Sequence, residues 1–200
     1  MLAATVAIAA ALGSQLPASS TMSASSTAAP SVPVPRSEQQ GLRREHRGAL
    51  GEADGAVPDG TTVFDDEVPG VTNLDADLLD ALRRAAADAA PDGVRLLVDS
   101  GWRSPAYQEQ LFRDAVLKYG SEAEAARWVA TPNTSAHVSG DAVDVGPAAA
   151  TTWLSRHGAA YGLCRIYGNE PWHYELRPDA AAHGCPPVYA DPSRDPRLRR

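Results

Sequence analysis

Between Ser14 and Gly60 the chain offers little that a hydrophobic core can use. Ser, Ala, Pro, Gly and charged residues dominate, with SSTMSASSTAAPSVPVP at the centre. Such a composition buries too little apolar surface to offset the entropy of an ordered chain. Folding is thereby confined to the remainder, about 140 residues, which suffices for one domain with its own core. The expected organisation is a signal-like segment over 1–24, a disordered linker over 25–60 and a folded domain over 61–200. Within the linker, EQQGLRREHRGAL at 38–50 has the composition of a short helix.

The chain opens MLAATVAIAAALGSQLPASS, an apolar run followed by small and polar residues. It has the proportions of a secretory signal and is too short to span a bilayer. No Lys or Arg precedes the run, so either the signal is atypical or the true start lies upstream; an Ala-rich tail is the alternative. The expectation is an exported, monomeric protein with no stable membrane span. A net charge of -7 argues against nucleic acid, whose binding requires many phosphates to be neutralised. The basic runs LRREHR at 42–47 and RDPRLRR at the C-terminus read as solvated tails. Cys164 and Cys185 fit an exported protein if they pair, the alternatives being two free thiols or two metal ligands lacking the spacing of a structural zinc site.

Within 61–200, NLDADLLDALRRAAADAAPDG carries Leu74, Leu78, Leu79 and Leu82 at helical spacing, with Asn73 as the N-cap and Pro-Asp-Gly as the stop. VRLLVDS at 94–100 reads as a buried strand. SPAYQEQLFRDAVLKYG predicts a second helix with Ser104 as N-cap, Pro105 in its first turn and Gly120 as terminator. SEAEAARWVA and PAAATTWLSRHG predict two more helices, and YGLCRIYG and PWHYEL two strands. Helices and strands interleave without a regular βαβ rhythm. The expected fold is therefore α+β, a small, mainly antiparallel sheet flanked by helices.

SAHVSGDAVD at 135–144 places polar chemistry where nothing helps to build a core. Gly140 and the β-branched Val143 and Val145 predict a loop entering a strand, in which Ala142 and Asp144 share one face. His137 and Asp144 are both common zinc ligand types, but two ligands do not complete a site. In NEPWHYEL, strand alternation sends Trp172, Tyr174 and Leu176 to the core and His173 the opposite way. Pro171 holds Glu170 extended, so a bend would bring Glu170 and His173 to one place. Each residue also has a bland reading: His137 capping a loop, Asp144 a helix cap, His173 a half-buried imidazole, Glu170 a surface acid. Spacing alone leaves a metal site open.

Taken together these residues resemble a known family. Ser135, His137, Gly140, Ala142 and Asp144 match S-x-H-x-x-G-x-A-x-D, Glu170, Trp172 and His173 match E-x-W-H, and SGWRS at 100–104 is similar to a third element of the VanY-like D-alanyl-D-alanine carboxypeptidases. These are zinc peptidases acting on peptidoglycan stem peptides and sharing a core with the Hedgehog domain. The resemblance, over about 70–178, implies Zn2+ held by His137, Asp144 and His173, Glu170 as general base and acid, and Arg103 facing the substrate. Ser135 and Gln108 are further candidates for substrate binding. The implied activity is removal of the terminal D-Ala from stem peptides. An L-alanyl-D-glutamate endopeptidase, a D-Ala-D-Ala dipeptidase and a non-catalytic zinc-stabilised wall-binding module are the alternatives. A Cys164–Cys185 bridge would staple the C-terminal tail beside the metal-bearing sheet.

Overall fold

The computed structural model describes residues 50–198. The signal-like segment, the short helix expected before Leu50 and most of the linker lie outside them. Along the chain run α1 (Pro69–Thr72), α2 (Ala76–Ala89), β1 (Leu97–Ser100), α3 (Pro105–Tyr119), α4 (Glu122–Ala125), α5 (Ala136–Ser139), β2 (Ala142–Gly146), α6 (Ala148–His157), β3 (Leu163–Arg165), β4 (His173–Leu176) and α7 (Ala180–His183). The four strands form one sheet in the order β1-β2-β4-β3, every neighbouring pair antiparallel. The fold is α+β, as expected. Among the described residues no helix is long and apolar enough to cross a membrane.

The two faces of the sheet divide core from chemistry. Val143 and Val145 of β2 and Tyr174 of β4 join Val98 of β1 in the main core, against Leu78, Ala81, Leu82, Ala85 and Ala89 of α2 and Trp153 and Leu154 of α6. Those α2 positions recur every three or four residues, the spacing that turns one helical face to the sheet. Leu78 and Leu82 are fully buried, each contributing about 1.5–3 kcal/mol of apolar transfer. Period-two alternation turns Ala142, Asp144, His173 and Glu175 to the other face. The register pairs Asp144 with His173 and Ala142 with Glu175 directly across the ladder.

Several expectations need local correction. Residues 50–60, assigned above to the linker, belong to the folded body: the Asp54 carbonyl accepts from the Ser104 amide at 2.8 Å and its carboxylate from the Ser104 hydroxyl at 2.9 Å. The cap of α2 is Asp75, which accepts from the amides of Asp77 and Leu78; Asn73 instead closes α1. Trp172 is 40% exposed and outside the core. The strand starts at His173, so the alternation does not extend back to residue 172. The expected loop at His137 is a single helical turn ended by Gly140 at φ 83°.

Candidate metal and peptide-hydrolysis centre

Three elements each deliver one donor. Asp144 and His173 face each other across β2 and β4. His137 arrives on α5, whose position depends on two glycines. A Cβ on Gly140 would stand 2.6 Å from the Asn73 carbonyl oxygen, in a left-handed conformation that disfavours side chains. A Cβ on Gly101 would stand 1.9 Å from the Gly70 carbonyl oxygen. The Gly101 carbonyl in turn lies 2.8 Å from His137 Nδ1. A carbonyl only accepts, so Nδ1 carries the proton and Nε2 presents its lone pair.

His137 Nε2 and His173 Nδ1 are 3.3 Å apart, His137 Nε2 and Asp144 Oδ1 3.4 Å, and His173 Nδ1 and Asp144 Oδ1 3.2 Å. In a tetrahedral zinc centre with bonds of about 2.0–2.1 Å, neighbouring ligand atoms lie about 3.3–3.4 Å apart. The triangle therefore has the dimensions of one face of such a tetrahedron, and the donor set fits zinc. The three ligands thus come from three elements, α5, β2 and β4.

The electrostatics agree with a cation at this point. Burial, helped by the Arg103 charge, lowers the His137 pKa and keeps that ring neutral. Burial would lower His173 as well, but hydrogen bonds to Asp144 and Glu175 outweigh it and push His173 up to about 9. The site thus favours positive charge between its carboxylates, whether a proton or a metal carries it. Burial would raise Asp144, yet the two imidazoles and Arg103 hold its carboxyl well below the usual range.

Around the triangle stand the groups that could do chemistry. The amide of His173 donates to the Glu170 carbonyl at 3.2 Å across the Glu170–His173 turn, the expected bend, and Glu170 Oε2 reaches to 3.8 Å from His173 Nδ1. Glu170 Oε1 is buried with no hydrogen-bond partner among the described residues. Burial pushes this carboxyl up to about 7, with His173 opposing and Asp144 reinforcing. Arg103 binds Asp144 Oδ2 at 2.9 Å, Ser100 Oγ at 2.8 Å and Gln108 Oε1 at 3.1 Å. That leaves two of the five guanidinium N–H groups for another oxygen. Gln108 also donates to the Ala130 carbonyl at 2.8 Å, so it fixes Arg103 as well as lining the cleft. Ser135 is buried and lines the same cleft without capping its own helix.

All seven sequence candidates, Arg103, Gln108, Ser135, His137, Asp144, Glu170 and His173, line one cleft of about 230 Å³. The chain from 71 to 179 matches the family model described as VanY, D-alanyl-D-alanine carboxypeptidase. The chain belongs to the VanY family. It is 32% identical over 123 residues to a D-alanyl-D-alanine carboxypeptidase of Enterococcus faecalis, covering 49% of this chain but 43% of that one. It therefore spans less than half the length of that curated relative. It is also similar to the structure of VanYB in complex with D-alanine-D-alanine, with TM-score 0.51 and 29% identity over 55% of this chain and 75% of that one. The LdcB LD-carboxypeptidase, described for its peptidoglycan recognition, gives TM-score 0.52 and 25% identity over 66% and 73%.

Within this VanY domain, sequence reading missed Glu175. Its Oε1 lies 3.3 Å from His173 Nε2, so it takes that N–H and leaves Nδ1 facing the triangle. The signal was present, because Glu175 follows His173 by two positions on one strand and must share its face. Trp128 and Tyr167 also line the cleft, with no sequence signal to mark them. Cys164 and Cys185 are disulfide-bonded. The C-terminal run read as a solvated tail is instead anchored through Arg197, which pairs with Glu175 and Asp195.

Proposed function

We propose that this chain is an exported, monomeric, zinc-dependent D,D-carboxypeptidase that removes the terminal D-Ala from peptidoglycan stem peptides. The observation that carries the reading is the pairing of a three-donor triangle of zinc dimensions with a buried carboxylate oxygen on Glu170 that has no partner among the described residues. His137, Asp144 and His173 would hold the metal. When bound there, zinc supplies a Lewis acid and makes water acidic near neutral pH. Glu170 takes the proton of the attacking water and passes it to the leaving amine, a task suited to a carboxyl whose pKa lies near the working pH. The free N–H groups of Arg103 hold substrate oxygen, either the developing oxyanion or the terminal carboxylate, where low dielectric strengthens the contact. A metal held only for structure would need neither group.

Binding of D-alanine-D-alanine by VanYB supports the substrate class, and the Cys164–Cys185 bridge supports an extracytoplasmic location. The likeness to LdcB favours one second reading, an L,D-carboxypeptidase acting on the tetrapeptide stem. Incubating zinc-loaded protein with pentapeptide stem, tetrapeptide stem and free D-Ala-D-Ala separates these. Release of one D-Ala from the pentapeptide is expected. Release from the tetrapeptide alone supports the second reading, and no release from any substrate refutes the enzymatic one.

A further inference from the structure

The chain after Cys185 forms an arm that pairs with the chain at Tyr167 and lines the cleft through Pro192 and Leu198. The disulfide to Cys164 fixes its start. Tyr189 then pairs in parallel with Tyr167, its amide donating to the Ile166 carbonyl at 2.9 Å and its carbonyl accepting from the Gly168 amide at 2.8 Å. Farther on, Asp195 is fully buried and accepts from the Tyr167 hydroxyl at 3.1 Å. Arg197 closes the arm. Its Nε reaches Asp195, while Nη1 and Nη2 reach the two oxygens of Glu175 at 2.7 and 3.2 Å.

The arrangement has a direction. Glu175 is buried and accepts from His173, Arg177 and Arg197. Arg177 reaches only Oε2, at 2.6 Å. Arg197 contacts both oxygens, and a guanidinium fork on both oxygens fixes the plane of a carboxylate as a single contact does not. The plane of Glu175 decides whether Oε1 meets His173 Nε2. Partners of this kind orient a metal-bound imidazole and raise its basicity.

We propose that Arg197 is a positioning residue: by fixing Glu175 it orients His173 toward the metal, so the C-terminal arm sets zinc affinity. The proposal rests on the zinc reading above. Arg127 provides an internal control, since it ties the same arm through Asp191 at 3.5 Å without touching Glu175.

The test measures the zinc dissociation constant of the full chain by competition with a chromophoric chelator, alongside the visible spectrum of the cobalt-substituted protein. Arg197→Ala is expected to weaken zinc about 10–100-fold and to alter the cobalt bands, with Arg197→Lys restoring part of the loss. Arg127→Ala is expected to bind zinc as the parent does. Melting of the metal-free proteins checks the fold, and if Arg197→Ala does not fold, Arg197→Lys carries the test with a weakening of several-fold. Unchanged zinc affinity in the folded Arg197 variants, or equal weakening in Arg127→Ala, overturns the proposal. A parent that binds no zinc refutes the proposed function itself, and the positioning role with it.

Discussion

On the proposed reading, Glu170 is the residue on which turnover depends most directly. Replacing it by Gln keeps its shape and removes its proton transfer, so turnover of the stem peptide should fall by about 10²–10⁴-fold while bound zinc, counted by elemental analysis, stays the same. The pH profile carries the same information. Burial raises the Glu170 carboxyl to about 7, and the base works only when deprotonated, so activity is lost as pH falls through that value. A nearby cation favours the carboxylate, so the acid limb of kcat/KM should lie at about 7 or below and rise with pH. A limb that falls with rising pH over this range would contradict the assignment. His137, Asp144, Glu170 and His173 were legible in the sequence because they fall in two motifs that resemble a known family; their spacing alone left their roles open. Glu175 was legible in principle from its place two residues after His173. Arg197 was not: Glu175, its partner beside the site, is 22 residues away on another element, and its neighbours in sequence read as a charged tail.

At the level of elements, helix caps, glycine stops and alternating strands told most of the story, because those signals are local. Asp75 displaced Asn73 as the cap of α2 since either side chain can accept from the first amides and the structure decides which residue precedes the turn. Trp172 failed the alternation rule because the turn that brings Glu170 beside His173 delays the start of β4. The one-turn helix α5 is the most sensitive element. Gly140→Ala puts a methyl against the Asn73 carbonyl at a positive φ, which should cost about 1–3 kcal/mol in denaturant unfolding and displace His137. Zinc binding should weaken in the same variant. A stability equal to the parent's would show that α5 can move without strain.

On the scale of the whole molecule, the sheet separates a packed face from the one that carries the candidate site, and the segments at the two ends of the described region brace that side. Residues 50–60 hold the start of α3 through Asp54 and Ser104. Their polar composition hid this, because hydrogen bonds to Ser104 fix them and only Val57 among them packs against the main core. At the other end, the Cys164–Cys185 bridge anchors the arm that carries Arg197. Replacing both cysteines by Ser should lower unfolding stability by about 3 kcal/mol for a loop of this size, measured by chemical denaturation. On the proposed reading, these braces keep two imidazoles and a carboxylate at the spacing of one metal ion. X-ray absorption at the zinc edge of the purified protein tests that claim most directly. One zinc per chain, with two imidazole nitrogens and oxygen donors at about 2.0–2.2 Å, is the predicted result; no zinc, sulfur in the coordination shell, or a shell without imidazole would contradict it.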